Sequence, residues 1–355
     1  MVDLLPTDEQ KNIADTVRRF LAEEFPVERL ISKDVNPARL RLGWDSIAEL
    51  GCFAIGLSEA QGGAGLTLVE EMLVAQEFGR ILGPPEIFGA ILAARLAAAC
   101  GSESMARGIG AGAARVATLA PVTPFELKDG LTGDFYLFDH DQADFALLVS
   151  PVGAMLFPMD AITVEEAIGL DAFVPIARVN AINLKPVWAK YEPAWWHQAL
   201  LLAAAYLSGL IQAACAMATG YAKLRQQFGQ PIGAFQAVKH RCVDMAIGAE
   251  AIGSQIAFAA LAIRNGAPDA AFQAMSAKLV AGQNAVKTAQ DNIQVHGAIG
   301  VTSELAPHLY LKRAHLIDRL FGSNRLLGGM MLSASVAYSG NARLNTLDAM
   351  ESSDR

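Results

Sequence analysis

Cysteine is scarce in this sequence. The four present (Cys52, Cys100, Cys215 and Cys242) stand far apart and form no Cys-x-x-Cys pair. That excludes a disulfide framework, and the cysteines read as small buried hydrophobes of a reducing compartment. The six histidines show no metal-ligand spacing. Charge is also thin: 18% of residues are charged, the net charge is −8, and no segment is basic. Nucleic acid is therefore excluded as a partner. The start, MVDLLPTDEQ, lacks the basic-then-apolar pattern of a signal peptide, so the chain is expected in the cytoplasm.

What is plentiful is apolar residue, at 53% of the chain, much of it alanine. Alanine favours closely packed helices. A chain this apolar is also expected to bury subunit interfaces. One run, Leu200 to Ala218, is about long enough to span a bilayer. It contains Ser208 and Gln212, lacks anchoring aromatic and basic residues on both flanks, and runs into a polar stretch at Tyr221. It reads as a buried bundle helix, and no membrane partner is expected.

Three regions follow along the 355 residues. In 1–113, Thr7 with Gln10 three residues on is a capping-box signature for a first helix. A short helix is expected over Trp44 to Leu50, then the turn-rich GLSEAQGGAGLT. Thr67 can cap a helix over Leu68 to Ile81, stopped by Gly83-Pro84-Pro85, and another spans Gly89 to Ala99. In 114–189 the pattern changes to short β-type runs: Arg115 to Leu119, Gly133 to Phe138, Phe145 to Val149 and Val174 to Ile182. From 190 to 340 four long helices are expected, over 193–228, 235–264, 268–296 and 302–339, joined by short turns as in an up-and-down bundle. The tail, 341–355, is polar and expected to be loose. The fold class is thus mainly α with a small β domain.

Two stretches carry chemistry. The first is YAKLRQQFGQPIGAFQAVKHRCVDM, from Tyr221 to Met245. Arg225 and Phe228 close one helix, a Gly-Gln-Pro-Ile-Gly turn follows, and Phe235 and Gln236 open the next. An arginine at such a corner can hold a phosphate with its planar fork, beside the free N–H groups of a helix start. The second is QDNIQVHGAIGVTSELAPHLYLKR, from Gln290 to Arg313. There Gln294 ends a helix, and Gly297, Ala298 and Gly300 make a turn small enough for a ligand to approach the backbone. Taken singly, these features would more often be a surface or interface salt bridge at Arg225, a helix–helix turn over Gly297 to Gly300 and a packed core histidine at His296.

Together they resemble the acyl-CoA dehydrogenases. R-x-x-F-G-x-x-I-x-x-F-Q and Q-V-H-G-A-I-G-x-T-x-E are diagnostic of that family, and both appear in order and spacing. GCFAIGLSEAQGGAGLT and EFGRILGPP match its first domain. The resemblance implies a helical domain, a β domain and a four-helix bundle, with FAD as cofactor and a CoA thioester as substrate. It further implies that Arg225, Gln226, Gln227, Phe228, Phe235 and Gln236, with Gln294, Val295, His296, Gly297 and Ala298, reach across a subunit interface. There they would hold the ADP half of an FAD bound mainly by the neighbouring subunit.

The sequence also departs from the family's pattern. The family's reaction needs a carboxylate to take the α-proton of the thioester while hydride leaves the β-carbon. One family position for that glutamate is held here by Phe321, within DRLFGS. The other falls at Ala199, within HQALLLAAA, and the arginine expected after it is Leu200. The family's flavin-wrapping T-E-P-x-x-G-S-D loop is replaced by ATLAPVTPFELKDG in a shortened β domain. Asp318, about one helical turn before Phe321, is the nearest candidate for a relocated base.

Some bacterial family members, notably those acting on sterol side chains, are α2β2 assemblies in which one subunit is degenerate. The chain resembles that partner: a base-lacking subunit that completes the FAD site of a second acyl-CoA dehydrogenase chain. The alternatives are a self-sufficient homodimeric or homotetrameric dehydrogenase with a relocated base, a flavin-dependent monooxygenase on the same fold, and a scaffold without FAD.

Overall fold

The computed structural model describes residues 4–31 and 43–333. The expected tail, 341–355, and the last part of the helix expected over 302–339 lie outside them.

The chain opens with α1 (Asp8–Glu24), capped by the expected Thr7–Gln10 capping box. Then come α2 (Trp44–Glu49), α3 (Leu68–Arg80), α4 (Glu86–Ala99) and α5 (Glu103–Gly110). Thr67 and Glu70 close a second capping box at α3. α4 begins directly after Pro84-Pro85, three residues before the expected Gly89, because a helix start tolerates the missing prolyl N–H.

The middle region is one seven-stranded sheet. Its strands are β1 (Val116–Pro121), β2 (Leu131–Phe138), β3 (Phe145–Ser150), β4 (Gly153–Pro158), β5 (Glu165–Ala167), β6 (Ile176–Leu184) and β7 (Trp188–Lys190). The order is β5-β6-β2-β1-β3-β4-β7. Only β1 and β3 run parallel. β4, β5 and β7 were not expected from the sequence; β5 and β7 have three residues each, too few for an alternation to register. Successive side chains go to opposite faces. Ala146 and Leu148 join a core belonging to the sheet, while Leu147 and Val149 join the large core shared with the helices.

The last region holds α6 (Ala194–Leu224), α7 (Gln236–Arg264), α8 (Ala270–His296) and α9 (Pro307–Arg319). α6 and α7 are both long and apolar enough to cross a membrane. α6 spends that character inside the protein, with Leu200 to Ile211 all buried. It crosses α3 at a reciprocal glycine contact. A Cβ on Gly79 would lie 1.8 Å from the Tyr206 carbonyl oxygen, and one on Gly209 would lie 1.8 Å from that of Gln76. Any larger residue would force the N-terminal domain off the bundle.

Two helix ends depart from expectation. α6 stops at Leu224 rather than reaching 228, because Arg225 is extended and 226–231 turn back as a short hairpin, β8 (Gln226–Gln227) with β9 (Gln230–Pro231). The helix expected over 302–339 is interrupted. Gly297–Val301 form a 3-10 turn, α9 starts at Pro307, and the chain breaks again after Arg319. Phe321 (φ 61°) and Gly322 (φ 133°) take left-handed backbone there, and helix resumes over 324–333.

A buried cation joins all three regions. Arg313, on α9, donates to Asp171 Oδ2 (2.6 Å), to the carbonyls of Leu82 and Gly83, and to the Tyr206 hydroxyl (2.6 Å). Burial opposes its charge, but Asp171 and Tyr206 outweigh that and raise its pKa. Of the cysteines, all four are free thiols and Cys52 alone is fully buried; burial pushes its thiol up to about 12. The other three are partly exposed, so the expectation of uniformly buried cysteines holds only for Cys52.

Candidate functional site

The two motifs meet at one end of the bundle. Ala218 and Ala222 of α6, Met245 of α7 and Val295 of α8 form a small buried cluster, with Tyr221, Ile232 and Val238 packed on it. The Tyr221 ring stacks on His296 at 4.2 Å between centroids. His296 is itself fixed through Nδ1 to the Asn292 carbonyl oxygen (2.8 Å), and burial lowers its pKa. Val295 and His296 are thus buried, and their side chains support the turn from within.

Around that support the remaining residues face outward. Arg225 caps α6, and its carbonyl accepts from the Ile232 amide (2.8 Å), which closes the hairpin. Phe228 sits at the hairpin tip with φ 53° and 92% of its surface exposed. Its ring meets the half-buried Phe235 edge-on at 6.1 Å. Gln226, Gln227, Gln236, Gln294 and Ala298 are exposed. The Arg225 guanidinium and the Gln236 and Gln294 side chains make no hydrogen bond or ion pair with any described residue. The first amides of α7 lie in the same corner and lack intrahelical acceptors, as at any helix start. Gly297 (φ 69°, ψ −147°) has open space where a Cβ would be. A fork cation, free amides, side-chain amides and a bare aromatic ring suit a phosphate-rich, ring-bearing group such as the ADP half of FAD. All of them lie on the outer surface, where a second chain could bring that group.

The positions expected for a catalytic glutamate are different. Ala199 is wholly buried on α6 and Phe321 is 4% exposed. Phe321 packs edge-on against Phe88 at 5.9 Å, and its carbonyl accepts from Trp196 Nε1. Asp318 does not share its direction. α9 ends between the two residues, and Asp318 faces α8, with Oδ1 3.9 Å from Lys278 Nζ. That lysine is fully buried and also donates to the carbonyls of Asp318 (3.3 Å) and Gly322 (3.4 Å). Burial pulls its pKa down to about 8, with Asp318 opposing.

Two cavities lie elsewhere. One of about 80 Å³ sits where the three regions join, lined by Arg29, Leu82, Asp139, Phe173 and Arg313. The other, about 480 Å³, is an apolar groove along α1, lined by Ile13, Val17, Leu50, Ile55 and Leu66. Neither is lined by Ala199 or Phe321. Sequence reasoning passed over Arg313, Lys278 and Trp196. None sits in a distinctive spacing, and only their burial marks them.

Comparison with known proteins agrees with this architecture. The acyl-CoA dehydrogenase N-terminal domain family matches residues 7–114 and the C-terminal domain family residues 197–334. The chain belongs to the acyl-CoA dehydrogenase family. Acyl-CoA dehydrogenase IpdE2 of Mycobacterium tuberculosis is 29% identical over 336 residues, covering 91% of this chain and 96% of that one. Among solved structures, the ChsE4-ChsE5 complex from Mycobacterium tuberculosis superposes with a TM-score of 0.80 at 19% identity, covering 95% of this chain and 99% of that one. PigA with FAD and proline superposes with a TM-score of 0.77 at 19% identity, covering 94% and 99%.

Proposed function

We propose that this chain is an acyl-CoA dehydrogenase subunit that lacks a base of its own and completes the FAD site of a second, unlike dehydrogenase chain in the cytoplasm. When bound, FAD supplies a hydride acceptor for α,β-dehydrogenation of an acyl-CoA thioester. Arg225, Phe228, Gln236 and Gln294 would hold the phosphate-rich half of that cofactor across the interface, with the backbone of Gly297 and Ala298 beside it. Val295 and His296 would keep the turn in shape from beneath.

The observation that carries this reading is a pair: an exposed clamp at one end of α6, unpaired among the described residues, and a filled catalytic position near the other end. Among the described residues Arg225 has no ion-pair partner, and Phe228 leaves a large ring in water. Both arrangements suit surfaces completed by another chain. Where a glutamate would take the α-proton stands the buried Phe321, packed on Phe88 and accepting from Trp196 through its carbonyl, with no carboxylate of its own. Losing a positioned general base costs roughly 10²–10⁴ in rate. That two fold neighbours are a two-component complex and a protein with FAD favours the same reading.

The test is a flavin absorbance spectrum, with the mass of the assembly, for the chain purified alone and co-expressed with a longer dehydrogenase chain encoded beside it. The expected result is substoichiometric FAD alone and full occupancy in the mixed assembly. Arg225→Ala should lower FAD retention in that assembly roughly tenfold or more, the worth of a charged hydrogen bond. One FAD per chain in the isolated protein, bleached by an acyl-CoA, would overturn the proposal in favour of a homomeric enzyme.

A further inference from the structure

β2 runs into a turn at Asp139, His140 and Asp141. Asp139 takes φ 58°, and its amide donates to the Pro175 carbonyl oxygen at 2.9 Å. The turn carries His140 beneath the edge strand β5. The imidazole is 7% exposed, and its Nε2 is buried without a hydrogen-bond partner. It is not remote from acceptors. Glu166 Oε2, on β5, lies 3.5 Å from Nε2, and Asp141 Oδ1 lies 3.7 Å from Nδ1. One ligand atom from each of the three residues falls within 4.8 Å of the other two.

These separations are long for hydrogen bonds, which close to about 2.7–3.2 Å. Only one imidazole nitrogen can meet a given ion: the Nε2–Glu166 separation suits two ligands sharing one, and an Asp141 carboxylate oxygen lies within 4.8 Å of the ligand atoms of the other two. Nitrogen and oxygen ligands about 2.0–2.1 Å from zinc and meeting at the tetrahedral angle stand about 3.4 Å apart. An imidazole with two carboxylates and no thiolate is a donor set for a first-row divalent ion, zinc foremost. The buried, unpartnered Nε2 is what separates this cluster from ordinary surface acids.

We propose that His140, Asp141 and Glu166 form a binding site for a divalent zinc-type cation, with water completing the coordination. The ion would tie β5, held to the sheet only by its pairing with β6, to the turn after β2. The site is independent of the FAD clamp and of the proposed subunit role. No spacing along the chain announces it, because Glu166 reaches His140 only through the sheet order.

The test uses the full chain as purified, freed of metal by a chelator, dialysed against graded zinc chloride and assayed for bound metal. One zinc per chain is expected, with a rise in Tm on binding. Glu166→Gln alters a side chain that is 77% exposed and should leave the fold intact. It should weaken zinc binding by roughly tenfold or more, and His140→Ala should abolish the site. Zinc binding unchanged in Glu166→Gln, the absence of a stoichiometric site, or equally tight binding of magnesium, which does not require imidazole, would each overturn the proposal.

Discussion

Two parts of the helical bundle, both expected from the family resemblance to serve catalysis, have been built in opposite ways. At the Arg225–Gln294 end, polar side chains without a hydrogen-bond or ion-pair partner among the described residues stand in solvent beside the exposed Phe228 ring, over a support of Val295, His296 and Tyr221. At the Ala199–Phe321 position, aromatic rings fill the space, and the nearest acid, Asp318, turns away to a buried lysine. An exposed clamp contributes little to the fold and can be kept only for what it binds. A filled pocket contributes packing and gives up chemistry. On the proposed reading, the contrast teaches that one scaffold can keep an exposed cofactor clamp while a catalytic position becomes core.

The comparison can be broken most forcefully at Phe321. Phe321→Glu puts a carboxylate where the resemblance expects a base, in a space occupied by a ring. Stability should fall by more than about 3 kcal/mol in chemical denaturation, and the chain alone should gain no dehydrogenase activity. A stable variant that bleaches flavin with an acyl-CoA would show that the pocket was never lost.

Next comes Lys278, beneath the same turn. Its folded pKa, about 8, lies below the ordinary 10.5 because of burial. Between those values the unfolded chain binds more protons than the folded one, so this group makes stability rise with pH from about 8 to 10.5. The full rise is on the order of 3 kcal/mol for such a shift. The buried tyrosines, whose pKa values burial raises, act in the opposite sense above pH 10. The difference between wild type and Lys278→Met isolates the lysine: urea melts across this window should show the rise only in wild type.

At the clamp end the effects on folding should be smaller. Gly297→Ala meets no steric obstacle but must hold a backbone conformation reserved for glycine, which costs roughly 1–3 kcal/mol. Arg225→Ala should change the chain's own stability by no more than about 0.5 kcal/mol, as for surface substitutions generally, while lowering FAD retention in the assembly. A large loss of stability in Arg225→Ala would show that the arginine serves the fold and would erase the contrast.

Much of this architecture was legible in the sequence because it is local. The capping boxes at Thr7 and Thr67 need only residues a few positions apart. The clamp residues were legible as a set because each motif is contiguous. The break at Phe321 was passed over although Gly322 just beyond it is a local stop signal, because Leu320 and Phe321 are ordinary helix residues. The turn is imposed by Phe88 and Trp196, both far away along the chain. Nor could the sequence separate the exposed residues of the second motif from the buried, supporting ones. Val295 and His296 read like their neighbours until α6 and α7 cover them.

By itself, then, the sequence determined the helical and β regions and the order of the domains, since each depends on periodicity, and placed Phe321 and Ala199 where the resemblance expects a glutamate, since that depends on residue identity. The tertiary structure alone decided that Asp318 turns from Phe321, that Arg313 joins Asp171 across 142 residues of chain, and that His140 faces Glu166. Those outcomes depend on which distant groups are buried together. Burial sets whether a charge finds a partner or an empty contact, and no local pattern encodes it.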